Sequence, residues 1–230
     1  MDATLKGISS MATRQMLRAL LDQWNERGEV PARIESVGGV DAANRVLKGD
    51  EAFDLVFLAS DALERLEAAG RLLPRSRVDL ARSSVAVAVP AGSFRPDISS
   101  GDAVREAVLS ARSIGYSTGP SGVALQKMFV RWGIDQQIRD RIVQARPGVP
   151  VGSLIAGGEV SLGFQQLSEL IHVPGIDVLG LLPDDIAIST VFSGAVVAGT
   201  QHAAQAGRLL AFMASPDAAA VKQAEGLELV

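Results

Sequence analysis

Cysteine is absent from the 230 residues. That excludes disulfides, thiolate metal sites, iron–sulfur clusters and a cysteine nucleophile. Histidine is scarce: only His172 and His202 occur, too few for a histidine-rich metal site or for H-E-x-x-H chemistry. Aromatic residues make up 4%, with Tyr116 the only tyrosine. There is no basic excess. Lys+Arg is 22 against Asp+Glu 26, a net charge of -4 with pI ≈ 5.3, which argues against a nucleic-acid partner. No run of about 18 apolar residues occurs, so no segment is expected to be embedded in a membrane. The G-x-G-x-x-G fingerprint, the P-loop and the G-x-S-x-G elbow are missing too. No metal and no cofactor is expected.

What is present is globular. Hydrophobic residues are 47% and charged residues 21%, and the length suits one to two domains. The opening segment MDATLKGISS has neither a basic n-region nor an apolar h-region. It therefore predicts a cytoplasmic chain if Met1 is native, and a periplasmic one if the amino terminus is a processed end.

Periodicity divides the chain into alternating elements. Residues 3–8 predict a strand, and Ser9-Ser10 reads as an N-cap. Met11, Met16, Leu17, Leu20, Leu21 and Trp24 then recur at helical spacing up to Gly28. VPARIES, FDLVFLAS, SSVAVAVPAG, SIGYS, RIVQA and VSLGFQQ predict further strands, most followed by a helical pattern. Residues 186–199 predict a strand pair or one bent strand, and Pro216 splits two closing helices. Alternation of this kind predicts an α/β fold with mostly parallel sheets. Two units are expected, about 1–80 and about 82–190, with the tail packing back on the first.

In parallel sheets, ligands bind beyond the carboxyl ends of the strands. Those turns carry Ser9-Ser10, Gly38-Gly39, Ser60-Asp61, Thr118-Gly119-Pro120-Ser121 and Gln165-Gln166, and Val151 opens a further helix. Hydroxyls, glycines and helix N-termini offer neutral donors to a small anion. The same residue types also cap helices and make turns without any ligand. Arg14, one turn into the first helix, has two readings, an anion partner or a surface residue.

The order and spacing of these segments carry a resemblance. The first strand ends in Ser-Ser, and a Gly-Gly turn follows the second. DLVFLASDALERLEAAGRL, SIGYSTGPSGVALQKMFVRWGI and PVGSLIAGGEVSLGFQQLSEL follow in turn. The chain thereby resembles the molybdate-binding family of periplasmic solute-binding proteins, over most of its length. The resemblance implies a two-lobed type II fold with a two-strand hinge and an anion in the interlobe cleft. Lobe one would be 1–80 plus 193–230, and lobe two 81–192. It also implies a monomer and, for a periplasmic member, an ABC transporter permease as partner.

Two family positions differ. Gly38-Gly39 stands where the family has a serine, and Gln166 where it has a tyrosine. Amides and an opened turn favour a planar carboxylate over a tetrahedral oxyanion, and an aconitate isomerase shares this type of fold. Three functions follow. The first is a small-anion binder using Ser9, Ser10, Gly38, Gly39, Thr118, Ser121, Val151, Gln165 and Gln166. The second is a polycarboxylate isomerase, for which Tyr116, Glu169 and His172 are the candidate acid–base groups. The third is a ligand-sensing module.

Overall fold

A computed structural model describes residues 4–230. The expected first strand begins at Ala3, which lies outside the described residues. The elements in chain order are β1 (Leu5–Ser10), α1 (Arg14–Glu26), β2 (Ala32–Val37), α2 (Gly39–Lys48), β3 (Leu55–Ala59) and α3 (Ser60–Ala68). Next come β4 (Val78–Pro90), α4 (Gly101–Ser110), β5 (Ile114–Tyr116), α5 (Pro120–Arg131), α6 (Asp135–Ile138), β6 (Ile142–Gln144) and α7 (Val151–Ala156). Last are β7 (Leu162–Gln166), α8 (Leu167–Leu170), β8 (Ile176–Leu181), β9 (Ser189–Val196), α9 (Ala203–Ala214) and α10 (Ala219–Ala224).

The chain forms two compact units. Unit one holds residues 4–82 and 191–230, unit two residues 83–190, and the chain crosses between them within β4 and within β9. Each unit is a mostly parallel sheet flanked by helices. In unit one β1 lies between β2 and β3, parallel to both, and β9 runs antiparallel to β3. In unit two β5 pairs in parallel with β6 and β7, while β4 runs antiparallel to β7 and β8.

Strand alternation builds two cores per unit, because successive side chains leave opposite faces of a sheet. In unit one Leu5, Leu55 and Phe57 meet Met16, Leu17, Leu20, Trp24 and Leu210 on one face. Ile8, Val56 and Leu58 meet Val46, Leu63 and Leu66 on the other. The apolar stripe read for α1 is the buried one. In unit two Val85, Val87, Ile114 and Phe164 share a core with Leu125 and Phe129, and Ala86 and Ala88 share another with Val151 and Ile155. Each buried Leu, Val or Phe contributes roughly 1.5–3 kcal/mol.

The structure differs from the sequence reading at two points. Ser9 and Ser10 belong to β1, and the chain tightens into a 3-10 turn at Met11–Thr13 before α1. Ser10 holds the N-cap position, but its side chain makes no capping bond. The second is α6, which was not expected. Of the two readings for residues 186–199, the structure takes the single strand, β9.

Candidate functional site

The parallel strands of unit one end at Ser10, Val37 and Ala59, and each is followed at once by a helical turn. Consecutive residues of β1 point to opposite faces, so Ser9 and Ser10 do different things. Ser9 is fully buried, and its hydroxyl lies 2.8 Å from that of Ser36, its register partner on β2. Ser10 points the other way, toward the start of α2, where a Cβ at Gly39 would sit 3.5 Å from the Ser10 Cβ. Ser10 is 7% exposed, and its Oγ has no hydrogen-bond partner among the described residues. A buried hydroxyl left unpaired costs about 1–3 kcal/mol, so such a group calls for an explanation.

Gly38 is the N-cap of α2, and its carbonyl accepts from Ala42 N–H. The N–H groups of Gly39 and Val40 precede the first intrahelical bond, as helix geometry requires. A neighbouring element carries a hydroxyl chain that the sequence reading did not assemble. Ser193 Oγ donates to Asp79 Oδ1 at 2.6 Å and lies 2.5 Å from Ser60 Oγ at the start of α3. Ser60 was visible as a turn residue, but nothing in the sequence linked it to Ser193 or Asp79.

Unit two ends its strands differently. Tyr116, the last residue of β5, is 2% exposed; its ring packs on Phe129 and its hydroxyl accepts from Gln126 Nε2 at 3.1 Å. It is a core aromatic, which removes it from the acid–base candidates. The next turn starts α5. Thr118 is exposed, whereas Ser121 is buried in the first turn of the helix. The helix can start this close to the strand because of Gly122. A Cβ there would fall onto the Ser117 carbonyl oxygen.

At α7 the seat is already filled. Gln165 Oε1 accepts from Val151 N–H at 2.8 Å and from Gly152 N–H at 3.3 Å. Val151 therefore leaves the expected donor set, and Gln165 takes a scaffold role. Its Nε2 donates to Glu169 Oε2 at 2.7 Å. Burial pushes the Glu169 carboxyl up to about 7, opposed by the Gln165 hydrogen bond. His172 is exposed in the turn after α8.

Gln166 is the last residue of β7 and 3% exposed. Its Nε2 donates to Thr190 Oγ1 at 3.0 Å, while its Oε1 has no partner among the described residues. A hydroxyl both donates and accepts. The amide can therefore hold Thr190 with either end and turn an oxygen or an NH2 group to a ligand. Ser10 Oγ and Gln166 Oε1 are the only such unpartnered buried side-chain atoms among the described residues. Each stands at the carboxyl end of a strand, one in each unit.

The model of the bacterial extracellular solute-binding protein family matches residues 5–228, and the chain belongs to that family. A curated relative, an aconitate isomerase of Pseudomonas sp, is 43% identical over 204 residues, covering 86% of this chain and 76% of the relative. Among solved structures, the periplasmic molybdate-binding protein of Azotobacter vinelandii has a TM-score of 0.82 at 23% identity, over 98% of this chain and 99% of that one. The sulfate-binding protein SubI of Mycobacterium tuberculosis has a TM-score of 0.77 at 17% identity, over 99% and 87%. The fold is thus the two-lobed periplasmic-binding-protein fold of the molybdate-binding type. Among the described residues no helix is long and apolar enough to cross a membrane.

Proposed function

We propose that this protein binds a small polycarboxylate anion, with Ser10 the ligand-facing side chain of unit one and Gln166 that of unit two, each considered within its own unit. One observation carries the reading: the two unpartnered buried polar atoms both belong to strand-end residues of the kind that hold ligands in α/β folds. In unit one the Gly39 N–H adds a neutral donor, and Gly38 opens the turn before it. In unit two the N–H and hydroxyl of Ser121 add two more, with Thr118 exposed just ahead of α5. Amide and backbone donors suit planar carboxylates, since each oxygen of such a group accepts in the plane of its C–O bonds. An ABC transporter permease is the partner this role requires if the protein works outside the cytoplasm.

A second reading, isomerisation of an aconitate-like tricarboxylate, is favoured by Glu169 and by the 43% identical isomerase. The chemistry is a 1,3-proton shift. Glu169 as carboxylate would take a proton from the methylene carbon of the substrate, leaving an allylic carbanion delocalised toward a carboxylate. The same proton then returns to the other end of the allyl system, and the rotamer held about the former single bond sets whether the new double bond is cis or trans. Nothing is oxidised or reduced. A carboxyl that titrates near 7 is both a competent base and a competent acid at neutral pH. Neutral donors stabilise the charge that develops.

Thermal shift with molybdate, tungstate, sulfate, citrate, cis-aconitate and trans-aconitate tests both readings. A ligand at 100 times its Kd adds about 2.7 kcal/mol of stability. The expected result is a response to tricarboxylates, lost in Ser10→Ala and Gln166→Leu. A response confined to molybdate and tungstate would overturn the carboxylate reading. The cis/trans ratio in the same tubes then separates binder from isomerase, and Glu169→Gln must abolish any interconversion that depends on it.

A further inference from the structure

Unit one carries a second feature that the ligand site does not use. A groove of about 460 Å³ runs between α1 and β2, the outermost strand of this sheet. Its walls hold three arginines, Arg14 and Arg18 one turn apart on α1 and Arg33 on β2. Elsewhere in this unit Arg27, Arg45, Arg65, Arg77 and Arg208 each hold a carboxylate. Arg14, Arg18 and Arg33 are exposed and form no ion pair or side-chain hydrogen bond among the described residues. The groove's own acid is Asp22. Glu35, the acid on β2, is already held by Arg45 through two bonds of 2.9 and 3.0 Å. This is a cationic strip on a chain of net charge -4.

The backbone beside it is also unsatisfied. Leu5 N–H donates to Pro31 O, so on β2 the odd-numbered residues turn their polar groups toward β1. The N–H and C=O groups of the even-numbered residues then face outward. Asn25 Oδ1 takes the first of these, Ala32 N–H, at 3.4 Å. Those of Ile34 and Ser36 are left for another strand. The groove floor is apolar, formed by Leu17, Leu21 and Ile34.

We propose that this groove binds an extended acidic peptide segment of a partner protein, which adds to β2 as a further strand. The peptide's backbone pairs with Ile34 and Ser36. Its carboxylates on one face reach Arg14 and Arg18, and those on the other face reach Arg33. This is strand addition with charge selectivity.

Fluorescence anisotropy with dye-labelled hexapeptides tests it on the intact protein at low ionic strength. The probes are a Glu–Thr peptide with carboxylates on both faces (Glu-Glu-Thr-Thr-Glu-Glu), its Lys–Thr counterpart, and a Glu peptide interrupted by proline. The Glu–Thr peptide should bind, weaken about tenfold or more in Arg18→Glu/Arg33→Glu, and lose affinity when salt is raised. The proline version should lose a similar factor, because proline cannot donate to the ladder. Arg18→Ala/Arg33→Ala gives the same readout should the charge-reversed variant fail to fold. No binding by the Glu–Thr peptide, equal binding by the lysine peptide, or undiminished binding by either variant would overturn the proposal. Equal affinity of the proline peptide would overturn strand addition.

Discussion

The two units finish their strands in opposite ways. Unit one leaves Ser10 Oγ unpaired among the described residues and puts glycines at the start of α2, so that hydroxyl waits for something else to satisfy it. Unit two largely satisfies itself. Gln165 plugs the start of α7, Glu169 binds Gln165, and Thr190 holds one end of the Gln166 amide. One sheet therefore offers neutral donors, and the other offers a single amide end and a half-buried acid held by Gln165. The lesson is that equivalent strand ends need not do equivalent work. On the proposed function, unit one would hold the charge and unit two would select it or move a proton.

The largest effect is expected where unit two's geometry has no slack. In Gly122→Ala the new methyl collides with the Ser117 carbonyl oxygen, which is backbone and cannot rotate aside. Overpacking against a fixed group costs about 3 kcal/mol. For a chain of this size that is a fall in melting temperature of roughly 6–12 °C. A melting temperature within about 2 °C of the parent would show that the α5 start is looser than described.

Gln165→Leu comes next. It removes the acceptor from Val151 N–H and Gly152 N–H and the donor from Glu169. Unpaired buried groups should cost about 1–3 kcal/mol in denaturant unfolding. The Glu169 carboxyl should also titrate higher, because the Gln165 bond is what lowers it. If stability does not change, the plug is not structural and the contrast between the units weakens.

The pH dependence of unit two sharpens the same contrast. Glu169 is raised from 4.5 to about 7 in the folded protein, so between those values the folded state holds more proton than the unfolded one. Stability should therefore fall as pH rises from 4.5 to 7, by up to about 1.4 kcal/mol per pH unit. Glu169→Gln should remove that slope while leaving the contributions of other groups. Parallel pH profiles for the two proteins would place Glu169 in ordinary solvent.

Much of this fold is written in periodicity. The α1 stripe from Met16 to Trp24, the buried run of β3 and the alternation of Val85-Ala86-Val87-Ala88 follow directly from geometry that any strand or helix obeys. The site was only half legible. Position along the chain puts Ser9 and Ser10, or Gln165 and Gln166, side by side at strand ends. It does not say which member of each pair turns toward a ligand and which toward a neighbour. Strand alternation decides that, and it depends on where the strand starts. The Ser60–Ser193–Asp79 chain was illegible for a different reason, since no local pattern joins residues so far apart in sequence.

The smallest change in stability carries the sharpest contrast. Ser9→Ala and Ser10→Ala differ by one position on one strand. Ser9 shares a hydrogen bond with Ser36, so its loss should cost about 1 kcal/mol and leave ligand affinity within about twofold. Ser10 has nothing to lose in the free protein, and removing its buried unpaired oxygen should leave stability unchanged or slightly raised. Its cost should appear only with ligand, as roughly a tenfold or greater loss of affinity by calorimetry, the worth of one good hydrogen bond to a charged group. Equal affinities for the two variants would mean that the unpaired hydroxyl of unit one serves no ligand. The division of labour between the units would then rest on Gln166 and Glu169 alone.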